Sequence, residues 1–188
     1  MSAQRHEAVV IGASAGALEA LSVILPALPA TFPLPIFVVV HVPPDKRSML
    51  SELFRAKCEI DVQEAEDKEP IKAGTVFFAP PGYHLLVENA QSLSLSADEP
   101  VMFSRPSIDV LFETAADVYG PDLIAIVLTG ANQDEASGMT AVIGAGGTGL
   151  VQNPREAFAS AMLEAAIAAC PSANVMSLAA ITDYLKKV

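Results

Sequence analysis

The sequence is short of cysteine, short of basic residues and free of long apolar runs, and each shortage excludes a class of function. Its two cysteines, Cys58 and Cys170, stand far apart with no C-x-x-C pair and no Cys/His cluster. Neither a zinc site nor a disulfide framework is signalled, and two lone thiols suit a reducing compartment. Eleven Lys and Arg stand against 22 Asp and Glu, a net charge of −11. A nucleic-acid partner needs a cationic face for its phosphates, and anionic lipid needs the same, so both are disfavoured. The longest uninterrupted apolar stretches, such as Ile36 to Val40 and Leu123 to Leu128, fall far below the roughly 18 residues of a membrane helix. Met1 to Glu7 is polar and carries no signal-peptide core. The expected location is the cytoplasm.

What remains is the composition of a folded domain: 188 residues, 52% hydrophobic and 18% charged. That length predicts one domain over residues 1–188. A folded chain of this mass exposes roughly 8,600 Å² and hides about 70% of the surface of the unfolded chain, enough for a core without staples.

Apolar runs of five or six residues alternate with segments of helical period, the pattern of β-α-β units around a buried parallel sheet. Strands are predicted at Ala8 to Ile11, Ile36 to Val40, Val62 to Glu64, Leu123 to Leu128, Gly149 to Gln152 and Val175 to Ser177. Helices are predicted at Leu18 to Leu28, Met49 to Lys57, Ile108 to Val118, Glu135 to Ile143, Glu156 to Ala169 and Leu178 to Lys187. The middle breaks the rhythm. Thr75 to Ala79 and His84 to Glu88, joined by Pro80 to Tyr83, read as a β-hairpin, and a short strand around Leu93 and Leu95 follows. The expected fold is α/β: a doubly wound, mostly parallel sheet flanked by helices, with an antiparallel β-hairpin annex.

Ligands of such sheets bind beyond the carboxyl ends of the strands, where the strand order reverses. Three polar segments occupy those ends: Gly12-Ala13-Ser14-Ala15-Gly16, His41-Val42-Pro43-Pro44, and Thr129-Gly130-Ala131-Asn132-Gln133-Asp134. Gly12-x-Ser14-x-Gly16 between a strand and a helix matches the nucleophile-elbow pattern, in which flanking glycines allow a sharp turn and free N–H groups hold an oxyanion. Other readings of the same loop are a plain helix N-cap at Ser14 and a degenerate dinucleotide fingerprint over Gly12 to Ala17. The latter lacks the acidic residue expected about 20 positions on, near Pro35 and Ile36. The run Gly144-Ala145-Gly146-Gly147-Thr148-Gly149 follows a helix and precedes a strand, so it reads as a cap and turn.

His41 closes an apolar strand, where it is either a satisfied structural histidine or a general base. His84 is the rival base, and His6 lies near the terminus. Asp134 precedes a helix, where it can cap the N-terminus or orient an imidazole. Asp109 and Asp45 are alternatives to it. A Ser14, His41, Asp134 triad has a chain order unlike that of α/β-hydrolases or the familiar proteases, but triads are defined by geometry.

Val9-Val10-Ile11-Gly12-Ala13-Ser14-Ala15-Gly16, Val38-Val39-Val40-His41-Val42-Pro43-Pro44 and Leu128-Thr129-Gly130 with Asp134 and Gly138-Met139 resemble the CheB-type chemotaxis protein-glutamate methylesterase domain. Glu64-Ala65-Glu66-Asp67, Arg105-Pro106-Ser107-Ile108-Asp109 and Val151-Gln152-Asn153 match it as well, in one order from about Ala8 to Ile167. The resemblance implies a hydrolase that demethylates methyl-glutamyl residues of chemoreceptor-like proteins, in a family whose members often also deamidate particular glutamines. It implies Ser14 as nucleophile, His41 as base and then acid, Asp134 as orienting carboxylate, and no metal or organic cofactor.

The family pattern also differs in places. Thr-Gly-Gly after the serine is Ala15-Gly16-Ala17 here, and Met-Gly-x-Asp-Gly is Ala131-Asn132-Gln133-Asp134-Glu135. A later Gly-Met-Pro-Arg-Glu-Ala turn is Ala161-Met162-Leu163-Glu164-Ala165-Ala166, with a helix start expected upstream near Arg155-Glu156-Ala157. Family members commonly carry a phosphorylatable receiver domain, and the expectation is a catalytic domain without it. These differences raise the alternative of a catalytically degenerate member acting as a binding or regulatory protein.

Overall fold

The computed structural model describes residues 4–41 and 49–188. Seven strands form one parallel sheet in the order β3-β4-β2-β1-β7-β8-β9. They are β1 (Ala8–Ala13), β2 (Ile36–Val40), β3 (Asp61–Glu64), β4 (Thr75–Phe78), β7 (Leu123–Val127), β8 (Thr148–Gln152) and β9 (Asn174–Met176). The remaining two, β5 (His84–Asn89) and β6 (Ser92–Ser96), pair antiparallel as a separate two-stranded sheet. The helices are α1 (Ala17–Ile24), α2 (Leu50–Lys57), α3 (Ile108–Tyr119), α4 (Ala136–Gly144), α5 (Ala161–Ala169) and α6 (Leu178–Leu185).

The central strands are apolar on both faces because both faces are covered. Val10, Phe37, Val39, Phe77 and Ala125 point to one side, where they join Leu111, Phe112, Met139 and Leu163 of α3, α4 and α5. Val9, Ile11, Ile36, Val38 and Phe78 point to the other, against Leu21, Ile24, Phe54 and Ile181 of α1, α2 and α6. Two adjacent residues of β4 show the alternation. Phe77 meets Phe37 with ring centroids 5.8 Å apart, whereas Phe78 stacks on Phe54 at 5.7 Å on the opposite face. The exposed surface, 8571 Å², is what the mass alone leads one to expect.

The doubly wound sheet and its antiparallel annex are as expected, but the annex is built from different strands. Thr75–Phe78 does not fold back on His84–Asn89. It enters the main sheet between β2 and β3, and His84–Asn89 pairs with Ser92–Ser96 instead. The reason is burial: all four residues of β4 are buried, as a two-sided parallel sheet requires, while β5 and β6 mix buried with partly buried or exposed positions, as a hairpin covered on one side does. The helix expected from Glu156 starts later. Residues 154–156 make a single 3₁₀ turn and α5 begins at Ala161, so the expected upstream shift of its start does not occur. Between them Ala159 N donates to the Thr129 hydroxyl, and Gly130 N donates to Ala159 O. Gly146, with φ +88, turns the chain from α4 into β8, as its position predicts.

Winding reverses at β1, with β2, β4 and β3 to one side of it and β7, β8 and β9 to the other. The carboxyl ends of β1, β2 and β7 therefore lie side by side on one edge of the sheet.

Candidate active site

Ser14 leaves β1 into a turn that sequence chemistry makes tight. Its N–H donates to Thr129 O at 2.9 Å, and Ala17 N donates back to Ser14 O at 2.9 Å. Gly16, at φ +86, is the residue that opens α1, and Ser14 does not cap that helix. A side chain on Gly16 would meet Phe158 and Thr129, and one on Gly130 would lie 3.1 Å from Ser14 Cβ. Glycine is required at Gly16 by its positive φ and by Phe158 Cβ, while at Gly130 an added Cβ would crowd Ser14 Cβ and the end of Met162. Thr129 holds the floor of the site: its N–H donates to Gln152 Oε1 at 2.9 Å and its hydroxyl lies 2.8 Å from Ala15 O.

His41 is the first residue after β2, and its N–H donates to Ala13 O at 3.1 Å. That bond continues the β1-β2 ladder and sets the imidazole beside the Ser14 turn. The ring lies between two side chains of the β7-α4 loop. Nε2 is 2.8 Å from Asp134 Oδ2 and Nδ1 is 2.8 Å from Asn132 Nδ2. Ser14 Oγ forms no hydrogen bond with a described residue.

Asp134 is fully buried. Beyond His41 it accepts from Ser107 Oγ at 2.7 Å, Ile108 N at 2.7 Å and Asp109 N at 3.1 Å. Burial alone would raise its pKa, but the four hydrogen bonds, with that from His41 the strongest, outweigh burial and hold it below the usual carboxylate range. It stays an anion facing the imidazole. Asp134 does not cap α4, the helix that follows it. It receives the N-terminal N–H groups of α3, whose positive dipole end favours the charge.

The next residue has the opposite environment. Glu135 is buried with both carboxyl oxygens unpartnered. Burial, then Asp109 and Asp134, push it up to about 9, so it is neutral at pH 7. Asp109 is raised to about 6, again chiefly by burial, although Gly138 N donates to it. Its position inside α3 gives it a structural role joining α3 to α4.

His84, the rival base, is 2% exposed and fully engaged. Nδ1 accepts from Ser107 N at 3.1 Å and Nε2 lies 2.9 Å from Glu99 O. It supports the strand-to-helix turn and faces no free nucleophile. His6 lies 3.4 Å from Tyr184 OH, just before the amino end of β1 and at the opposite end of that strand from Ser14. Val42, Pro43, Pro44 and Asp45 lie outside the described residues. No group of three or more His, Cys, Asp or Glu among the described residues converges as metal ligands would.

The sequence reading missed Ser107 and Asn132. Pro106-Ser107 ahead of a helical run signals an N-cap, and Ser107 is one, but its bond to Asp134 crosses 27 residues and leaves no local trace. Asn132 does carry a local signal, since an Asn two residues before Asp134 can accept its N–H, and it does so at 3.3 Å.

Comparison with known proteins identifies the family and the fold. Residues 9–185 match the family described as CheB methylesterase. A Leptospira interrogans protein is 46% identical over 178 residues, covering 95% of this chain and 92% of that one, and its name assigns it provisionally as a protein-glutamate methylesterase/protein-glutamine glutaminase. The Archaeoglobus fulgidus protein-glutamate methylesterase/protein-glutamine glutaminase is 37% identical over 85% of this chain, which spans 46% of that longer protein. The crystal structure of the Thermotoga maritima CheB methylesterase catalytic domain superposes with a TM-score of 0.92 at 32% identity, covering 97% of this chain and 98% of that one.

Proposed function

Because this chain belongs to the CheB methylesterase family, we propose that it hydrolyses the methyl esters of methyl-glutamyl side chains on a chemoreceptor-like protein in the cytoplasm, and that it deamidates glutamines on the same partner. The observation that carries the reading is the 2.8 Å His41 to Asp134 bond beside a serine turn at the switch point of the sheet. Ser14 Oγ attacks the ester carbonyl while His41 takes its proton. Asp134 holds the ring by its far nitrogen and stabilises the imidazolium that forms. The Ala15 and Gly16 N–H groups, which have no partner among the described residues, are the donors to the developing oxyanion at the start of α1. His41 returns the proton to methanol, and water hydrolyses the acyl-enzyme by the same route in reverse. A glutamine side chain follows the same path with ammonia leaving.

The regulatory alternative gains no support: the relatives named above carry enzyme names. The test is methanol release from a methylated chemoreceptor cytoplasmic fragment. Ser14→Ala is expected to lower the rate by about 10⁴-fold or more. Methanol release that continues unchanged in that variant rules the reading out.

A further inference from the structure

Asn132 stands at the position where the CheB pattern carries a glycine, and it occupies the ring nitrogen of His41 that Asp134 leaves open. The direction of these bonds can be deduced. Asp134 N can only donate, so the Asn132 atom 3.3 Å from it is the carbonyl oxygen Oδ1. The amide group facing His41 is therefore the NH₂, which can only donate, and Nδ1 must be the unprotonated nitrogen. The neutral ring then carries its hydrogen on Nε2, where it donates to Asp134 Oδ2. Both neighbours dictate the same tautomer. They also leave the ring without a free lone pair, and Ser14 Oγ forms no hydrogen bond with a described residue.

We propose that Asn132 is a latch on the general base: a positioning residue that fixes the Nε2–H tautomer of His41 and masks Nδ1 in the resting enzyme. This rests on the esterase reading above. Before catalysis the Asn132 amide must leave Nδ1. Ser14 Oγ–H then donates to the freed lone pair, the Oγ–C bond forms as the proton moves to Nδ1, and Nε2–H remains on Asp134 throughout. The cost of turnover includes one hydrogen bond broken at every cycle. A glycine at this position imposes no such cost.

Two measurements test the latch. The first is the second-order rate of labelling of Ser14 by a small fluorophosphonate, with Ser14→Ala as the unlabelled control. Asn132→Ala and Asn132→Ser are expected to label about two- to tenfold faster than the wild-type chain, the worth of one hydrogen bond. With a methyl-ester substrate the gain is expected in kcat and not in KM. Asn132→Ser keeps an oxygen for Asp134 N–H but cannot reach Nδ1, so it guards against a collapse of the loop in the alanine variant. The second is the nitrogen NMR spectrum of His41, expected to report hydrogen on Nε2 and none on Nδ1. Labelling by both variants at or below the wild-type rate, or hydrogen on Nδ1 in the neutral wild-type ring, overturns the latch while leaving an active wild-type esterase standing. A folded wild-type chain and folded variants that all resist labelling overturn the esterase reading, and the latch with it.

Discussion

Asp134 and Glu135 are neighbours in the chain, both are fully buried, and their carboxyl groups are in opposite states. Hydrogen bonding decides the difference. Asp134 accepts four hydrogen bonds and remains ionised, while Glu135 accepts none and is pushed up to about 9 from an ordinary value of 4.5. Between those two values the unfolded chain releases the Glu135 proton and the folded chain retains it. The unfolded state binds fewer protons in that window, so this group makes stability fall as pH rises from about 4.5 to about 9. Glu135→Gln removes the titration and keeps the shape. It is expected to stabilise the protein by on the order of 4–5 kcal/mol at pH 8, and by only about 1 kcal/mol at pH 5 from this source. Urea unfolding of both proteins at the two pH values measures it, and parallel pH dependences would contradict it. The neutral state of Glu135 could not be read from the sequence, which shows an acidic pair at a helix start and nothing of the burial of the second member.

At the scale of elements, the N-terminus of α3 organises the site although it contributes no reacting group. Its Ile108 and Asp109 N–H groups hold Asp134, and Ser107 Oγ both donates to Asp134 and accepts from Val110 N at 3.4 Å. The helix can approach because β1 has Gly12 beneath it: a Cβ there would come within 2.5 Å of Ile108 Cγ2. Ser107→Ala loses the cap and one support of the carboxylate. The expected cost is about 1–2 kcal/mol of stability, together with a rise in the Asp134 pKa and slower ester hydrolysis. Chemical unfolding and methanol release check the two parts, and an unchanged unfolding midpoint would show that the cap contributes nothing. The sequence made the helix legible from its 3.6-residue period and the Pro106-Ser107 start. That this start clamps a residue of the β7-α4 loop depends on packing between distant segments. The same limit explains β4. Its apolar run announced a strand, but the Pro80 to Tyr83 turn suggested pairing with the next strand, when the available partners were β2 and β3 across the sheet.

At the scale of the whole molecule, the net charge of −11 predicts indifference to polyanions. The chain is expected to show no binding to duplex DNA or to phosphatidylserine vesicles at about 150 mM salt, where surface fields are screened beyond roughly 8 Å. Co-sedimentation with either would reveal a local basic face that the overall balance conceals. Among the described residues no helix is long and apolar enough to cross a membrane, in line with the short apolar runs. The shortage of positive charge thus bears on partners, whereas the fold follows from the apolar pattern. Two-sided apolar runs separated by amphipathic segments dictate a covered parallel sheet, and polar residues at the strand ends then mark its carboxyl edge. For those reasons Ser14, His41 and Asp134 could be found as candidates from local pattern alone. Only the tertiary structure decided which nitrogen of His41 meets Asp134, what holds that carboxylate ionised, and what occupies the other nitrogen. Each depends on hydrogen bonds between residues 25 or more positions apart, whose existence is set by the packing of β1, β2, β7 and α3 at the switch point.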